Sequence, residues 1–150
     1  MNRGDPIPGC GESIGYPSPV NQLIELHDSR ITAIYQDGGD VHLDLEAYVH
    51  RSDGRPGIDP GTGWVVPVRM TIRSAAVVRG FEGEALWITE GTIRVGAKVL
   101  DNECPVSMDA ADAVEVRLAG QEGSLTVVGT GLRVKATGEA KFVEVFTGAG

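Results

Sequence analysis

Residues Arg30 to His50 constrain the fold more than any other stretch: Arg-Ile-Thr-Ala-Ile-Tyr-Gln, then Asp37-Gly38-Gly39-Asp40, then Val-His-Leu-Asp-Leu-Glu-Ala-Tyr-Val-His. Two alternating runs around a paired glycine predict a β-hairpin, because glycine tolerates the positive φ that a tight turn requires. The second run sorts by parity: Val41, Leu43, Leu45, Ala47 and Val49 on one face, His42, Asp44, Glu46, Tyr48 and His50 on the other. One face wants a core and the other meets water or a ligand. Two registers are open. A two-residue loop at Gly38-Gly39 sets Ile34 opposite Leu43 and Tyr35 opposite His42, whereas a three-residue bulged loop sets Tyr35 opposite Leu43 and Ala33 opposite Leu45. The bulged loop gathers Ile31, Ala33, Tyr35, Leu43, Leu45 and Ala47 on one side, so burial favours it.

Beyond the hairpin the same periodicity recurs. Val66, Val68, Met70 and Ile72 alternate with Pro67, Arg69, Thr71 and Arg73, giving a third strand with a basic outer face. Ala75 to Arg79 reads as a fourth short run. Leu86 to Leu100, broken by Gly91 and Gly96, fits two short strands or one bent strand. Asp101 to Ala111 is polar and reads as a connection with at most one helical turn. Val114, Val116 and Leu118 alternate, Gln121-Glu122-Gly123 turns, and Leu125 to Val134 runs back with a bulge expected near Gly129 and Gly131. Thr137 to Ala140 turns again before Phe142 to Phe146. Four of the eight prolines fall in residues 1–20, which predicts an irregular N-terminal arm before a single β-sandwich domain over 21–150. Ser18-Pro19 offers an N-cap and a first helical residue, so one short helix through Leu26 is expected. The fold class expected is all-β: an antiparallel β-sandwich or barrel-like fold of about eight or nine short strands.

At 150 residues the chain is long enough to bury roughly 70% of its unfolded surface without disulfide help. Thirteen Lys plus Arg against 21 Asp plus Glu leave a net charge of -8, so a phosphate backbone is repelled and nucleic acid is not an expected partner. The N-terminal residues lack the apolar core of a secretory signal, and no run reaches the ~18 apolar residues of a membrane helix. No membrane contact and a cytoplasmic location are therefore expected, with Cys10 and Cys104 as unpaired thiols in a reducing compartment.

Several residue groups qualify as sites. His42, Asp44, Glu46 and His50 share a strand face and offer the imidazole and carboxylate ligands that Zn, Mn or Fe accepts. Neighbours at i and i+2 lie about 6.6 Å apart, so adjacent members can share an ion but the full set spans too far. The His-x-His pair of cupin metal sites is absent. His27-Asp28-Ser29 suits a turn before the first strand. Gly11 to Gly15 matches G-x-S-x-G, but neither strand nor long helix flanks it, so a hydrolase elbow is not expected. The His50 to Gly63 loop carries Asp53 and Asp59 away from calcium-loop spacing, which leaves a connecting or partner-contact loop. Trp64, Arg69 and Arg73, placed on the face opposite the inward valines, have the composition of an interaction hot spot, or pair with the acidic face of the 41–50 strand.

Leu26-His27-Asp28-Ser29-Arg30-Ile31 opening into a hairpin, with Gly138 to Phe146 at the other end, resembles a group of uncharacterised bacterial β-sandwich proteins, some of them similar to toxin-immunity proteins. The resemblance implies no activity and assigns no site residue; it only favours the interaction reading. The function expected is a non-catalytic binding or protein-interaction module, with an unidentified protein or small molecule as its ligand and no cofactor. Trp64, Arg69, Arg73, Asp53 and Asp59 are the expected contacts. The alternative is a metal-dependent, cupin-like enzyme using His42, Asp44, Glu46 or His50. A third reading is a homo-oligomer joined through strand edges.

Overall fold

Alternation of apolar and polar residues runs through most of the chain, and the backbone follows it as strands. The computed structural model describes residues 21–81, 83 and 85–147. They form β1 (Asn21–Asp37), β2 (Asp40–Ser52), β3 (Gly61–Ile72), β4 (Ala76–Arg79), β5 (Leu86–Trp87), β6 (Glu90–Val95), β7 (Lys98–Asp101), β8 (Glu103–Pro105), β9 (Met108–Gly120), β10 (Gly123–Ala136) and β11 (Lys141–Phe146). All pairings are antiparallel. The main path runs β5-β1-β2-β3-β10-β9-β6-β7, with β11 on β3, β4 on β10 and β8 on β1.

This is one curled, barrel-like sheet rather than two stacked ones. Its ends are stitched together by single backbone bonds: Leu26 N to Asn102 O at 2.8 Å, Asn102 N to Gly91 O at 2.9 Å, Ile88 N to Ser29 O at 2.9 Å and Thr89 N to Ala119 O at 2.8 Å. The concave side holds the core. Val41, Leu43, Leu45, Ala47 and Val49 are 0–2% exposed and meet Val66, Val68, Met70 and Ile72 of β3 and the inward residues of β9 and β10. Each such aliphatic side chain contributes about 1.5–3 kcal/mol by leaving water, so the face read from alternation after Asp40 carries much of the stability.

Local expectations are corrected in five places. First, Asn21 to Leu26 is strand, not helix. Ile24 and Leu26 alternate inward, and β8 and β2 take the backbone on its two sides. The Ser18-Pro19 start of that helix, the arm over residues 1–20, Gly11 to Gly15 and Cys10 lie outside the described residues. Second, the hairpin turn is the two-residue one: Asp37 pairs Asp40, Tyr35 pairs His42 and Ile34 pairs Leu43. Gly38 takes φ +66° at the first turn position, as a II′ turn asks. The extra residue sits instead at Thr32, between the pairs Ile31–Leu45 and Ala33–Asp44. Ile31 and Ile34 are three apart, and only a bulge between them turns both toward the core. Tyr35 goes outward, where its ring stacks on His42.

Third, His27-Asp28-Ser29 forms a wide bulge inside β1 rather than a turn before it, with Leu26 to Ser29 all facing Ala47. Ser29, fully buried, fills the broken ladder: its Oγ accepts from Tyr48 N at 2.9 Å and donates to Glu25 O at 2.8 Å. Fourth, Asp101 to Ala111 is no helical connection. It holds β8 and the start of β9, whose Asp109 and Ala110 pair Arg133 and Leu132. Fifth, the strand count is eleven, because β5, β7 and β8 are too short to show a period. The bulge expected near Gly129 and Gly131 is present: the register shifts between Thr130 and Leu132, and Gly131 takes φ +131°.

Candidate functional site

The Gly131 bulge reverses the parity of β10, so Leu132 and Val134 turn into the core and Arg133 and Lys135 turn out. β10 lies against β3, and β3 against β2, which brings two outward rows into line. One runs His42–Thr71–Arg133–Asp109, extended on the β1 side by Tyr35, and the other runs Asp44–Arg69–Lys135. Between them lies an open trough of about 500 Å³ lined by His42, Arg69, Thr71, Arg133, Lys135, Ala136 and Thr137. Strand spacing sets its residues about 4.8 Å apart across the sheet.

The polar groups of the trough are tied down on one side only. Arg69 grips Asp44 with two bonds, Nε to Oδ1 at 2.8 Å and Nη2 to Oδ2 at 3.2 Å, and its guanidinium also stacks over Tyr35 at 5.3 Å. His42 Nδ1 meets Thr71 Oγ1 at 3.0 Å. Arg133 and Lys135 have no ion-pair partner among the described residues. Asp109, paired in register with Arg133, is bonded to Arg73 Nη2 at 2.7 Å, and this partner, with a smaller contribution from the Arg133 charge, holds its carboxyl below the usual carboxylate range. In a chain of net charge -8 this is a local reversal of sign.

The site residues expected from the sequence scatter. Arg69 lies in the trough. Arg73 does not: it wraps the Gly131 bulge and donates to Asp109 and to Ala110 O. Trp64 has the parity of Val66 and is half-buried against the core, under Arg51 at 4.5 Å and beside the Phe142 ring at 5.4 Å, so it does not share a face with Arg69 and Arg73. Asp59 braces its own loop, accepting from Arg55 N at 2.6 Å, and Asp53 is exposed. That loop folds back over the end of β2. His50 Nδ1 accepts from Gly57 N at 2.5 Å, while Ser52 Oγ donates to Pro60 O at 2.7 Å and accepts from Gly54 N at 3.0 Å.

The four residues expected for a metal likewise do not converge. His42 and Asp44 belong to the trough, Glu46 takes Arg30 at 2.6 Å, and His50 is 1% exposed with Phe146 edge-on against its ring. Metal-type ligand atoms do gather elsewhere, at Glu25, His27 and Asp28 on the β1 bulge, all within 4.8 Å of one another. Their hydrogen bonding is self-sufficient. Asn102 Oδ1 accepts from His27 N at 2.9 Å, which turns the amide Nδ2 toward His27 Nδ1. Nδ1 then accepts, so the ring proton sits on Nε2, aimed at Asp28 Oδ2 at 3.2 Å. A metal at Nε2 would have to displace that proton against the Asn102 amide.

Sequence reading missed Thr71, Arg133, Lys135 and Thr137 as site residues, and Tyr35 beside them. Leu132 and Val134 alternating with Arg133 and Lys135 was a usable signal for an exposed basic face. Its neighbours were not readable, because the β3–β10 pairing joins residues some sixty positions apart. The class that the fold defines is an all-β, barrel-like protein of antiparallel strands. Compared with known proteins, the chain matches no family model, no curated protein and no solved structure. No helix among the described residues is long and apolar enough to cross a membrane.

Proposed function

We propose that this protein is a non-catalytic binding module whose ligand is anionic and seats in the trough over β2, β3 and β10. The observation that carries this reading is the outward pair Arg133 and Lys135, without an ion-pair partner among the described residues and flanked by Arg69 and His42. Guanidinium and ammonium groups aimed into one hollow recognise carboxylate or phosphate, and the hydroxyls of Thr71 and Thr137 add hydrogen-bonding capacity at its floor and end. The cysteine among the described residues, Cys104, is buried in β8 away from the trough, and burial pushes its thiol up to about 12. The rival reading, a metal-dependent enzyme on His42, Asp44, Glu46 and His50, draws less support, since these groups face separate partners.

The test is titration with a hexaglutamate peptide and with inorganic phosphate at low salt, followed by amide chemical shifts. At least one anion should perturb β10 and β3 around Arg133 and Thr71, and added salt should weaken it. Arg133→Glu with Lys135→Glu should abolish that binding while leaving the fold's circular dichroism unchanged. Shifts confined to other strands, or undiminished in the double variant, would refute the reading.

A further inference from the structure

Resting on the anion-binding reading, we propose more narrowly that the trough's ligand is an extended acidic segment of a partner protein, laid lengthwise over β10 with its carboxylates at alternate positions. The spacing of the cations carries this. Arg133 and Lys135 are two residues apart on one strand, so their side chains leave the sheet about 6.6 Å apart, the same interval that separates alternate side chains of any extended chain. Arg69 stands level with Lys135 and Thr71 level with Arg133, so each rung pairs a cation with a second donor from β3.

A single compact anion is poorly served here. Tight phosphate sites gather several backbone N–H groups onto one point. Leu132 to Val134 are laddered to β3 on one side and β9 on the other, which leaves the backbone of this region no such nest. Both edges of β10 being taken from Leu132 to Val134, the segment does not add to the sheet there as another strand. It lies across the outer face, with side chains supplying the recognition. Each exposed charge contact is weak, so the segment's affinity comes from engaging Arg133 and Lys135 together.

The experiment compares two eight-residue peptides of identical composition, one alternating Glu and Thr and one repeating Glu-Glu-Thr-Thr, which has no two Glu residues at alternate positions, alongside inorganic phosphate. All are titrated into the full chain at low ionic strength. The alternating peptide should bind about tenfold tighter than the Glu-Glu-Thr-Thr peptide and tighter than phosphate. Lys135→Ala, a milder change than charge reversal, should erase the preference between peptides while leaving some binding to both. Equal affinity for the two peptides, or phosphate binding as tightly as either, would overturn the segment and leave the anion reading standing. Binding of none of the three would remove both. Light scattering supplies the remaining outcome: self-association of the wild type that disappears on Arg133→Glu would make a second copy the occupant and overturn the proposal.

Discussion

The two ends of the polar face of β2 each carry a histidine followed at the next outward position by a polar residue, and they meet opposite fates. At one end His42 and Asp44 lie open beside Arg69 and the trough. At the other, His50 and Ser52, on the same parity of the same strand, are 1% and 2% exposed. The difference comes from what lies on top. Residues 53–60 fold back and use His50 Nδ1 and Ser52 Oγ as anchors, and β11 brings Phe146 edge-on to the His50 ring. Between the two ends Tyr48 crosses diagonally over Gly63 to donate to Glu144 Oε2 at 2.6 Å, tying β11 to the sheet. Alternation therefore assigns a face, and the length and destination of the following loop decide whether that face is wet.

Mutations at the two ends should separate sharply. His50→Ala removes a packed ring and orphans the Gly57 amide, so it should cost about 2–4 kcal/mol in urea unfolding. His42→Ala at the open end should stay within about 0.5 kcal/mol. Equal costs would erase the contrast. Gly63→Ala comes next: a Cβ there would lie 2.1 Å from the Tyr48 hydroxyl, so the ring must shift and the Glu144 bond break. A loss of about 1–3 kcal/mol is expected, and it should shrink in the Tyr48→Ala background, where nothing remains to collide.

The smallest effect concerns pH. Burial, and then the Glu144 carboxylate that accepts its proton, raise the Tyr48 pKa above the ordinary tyrosine value. A group whose folded pKa is raised contributes stability fully present below its unfolded pKa, about 10, and lost as pH rises beyond it. Wild-type stability should therefore fall on the alkaline side of about pH 10 more steeply than that of Tyr48→Phe, which should itself cost about 1 kcal/mol at neutral pH. Parallel pH profiles would show that the hydroxyl titrates alike in both states, and the tie to β11 would lose its role.

Much of this architecture was legible beforehand, and the failures are instructive. The inward set Val41 to Val49, the strand from Val66 to Ile72, the Gln121 to Gly123 turn and the Gly131 bulge all follow from periodicity and glycine. The hairpin register did not, because counting apolar side chains placed Tyr35 inside, whereas its ring gains more by stacking on His42 and under Arg69. The segment from Asp101 to Ala111 was read as a connection because Asp101, Asn102, Glu103, Pro105, Ser107 and Asp109 make it look polar, yet Cys104, Val106, Met108 and Ala110 between them alternate toward the core. Of the residues lining the trough, Arg69 alone was singled out as a partner contact, and His42 was read as a metal ligand.

Sequence alone determined which side chains alternate, hence which are strands and which face of each is dry, because a period of two is a property of neighbours along the chain. It also set the acidic charge and the glycine positions where the chain turns. Tertiary structure alone decided that β3 lies beside β10, that β11 and residues 53–60 cover one end of the β2 face, and that Arg69, Arg133 and Lys135 share a hollow. Those facts depend on pairings between distant segments, chosen by how one whole curled sheet closes around its core, and no local pattern encodes them.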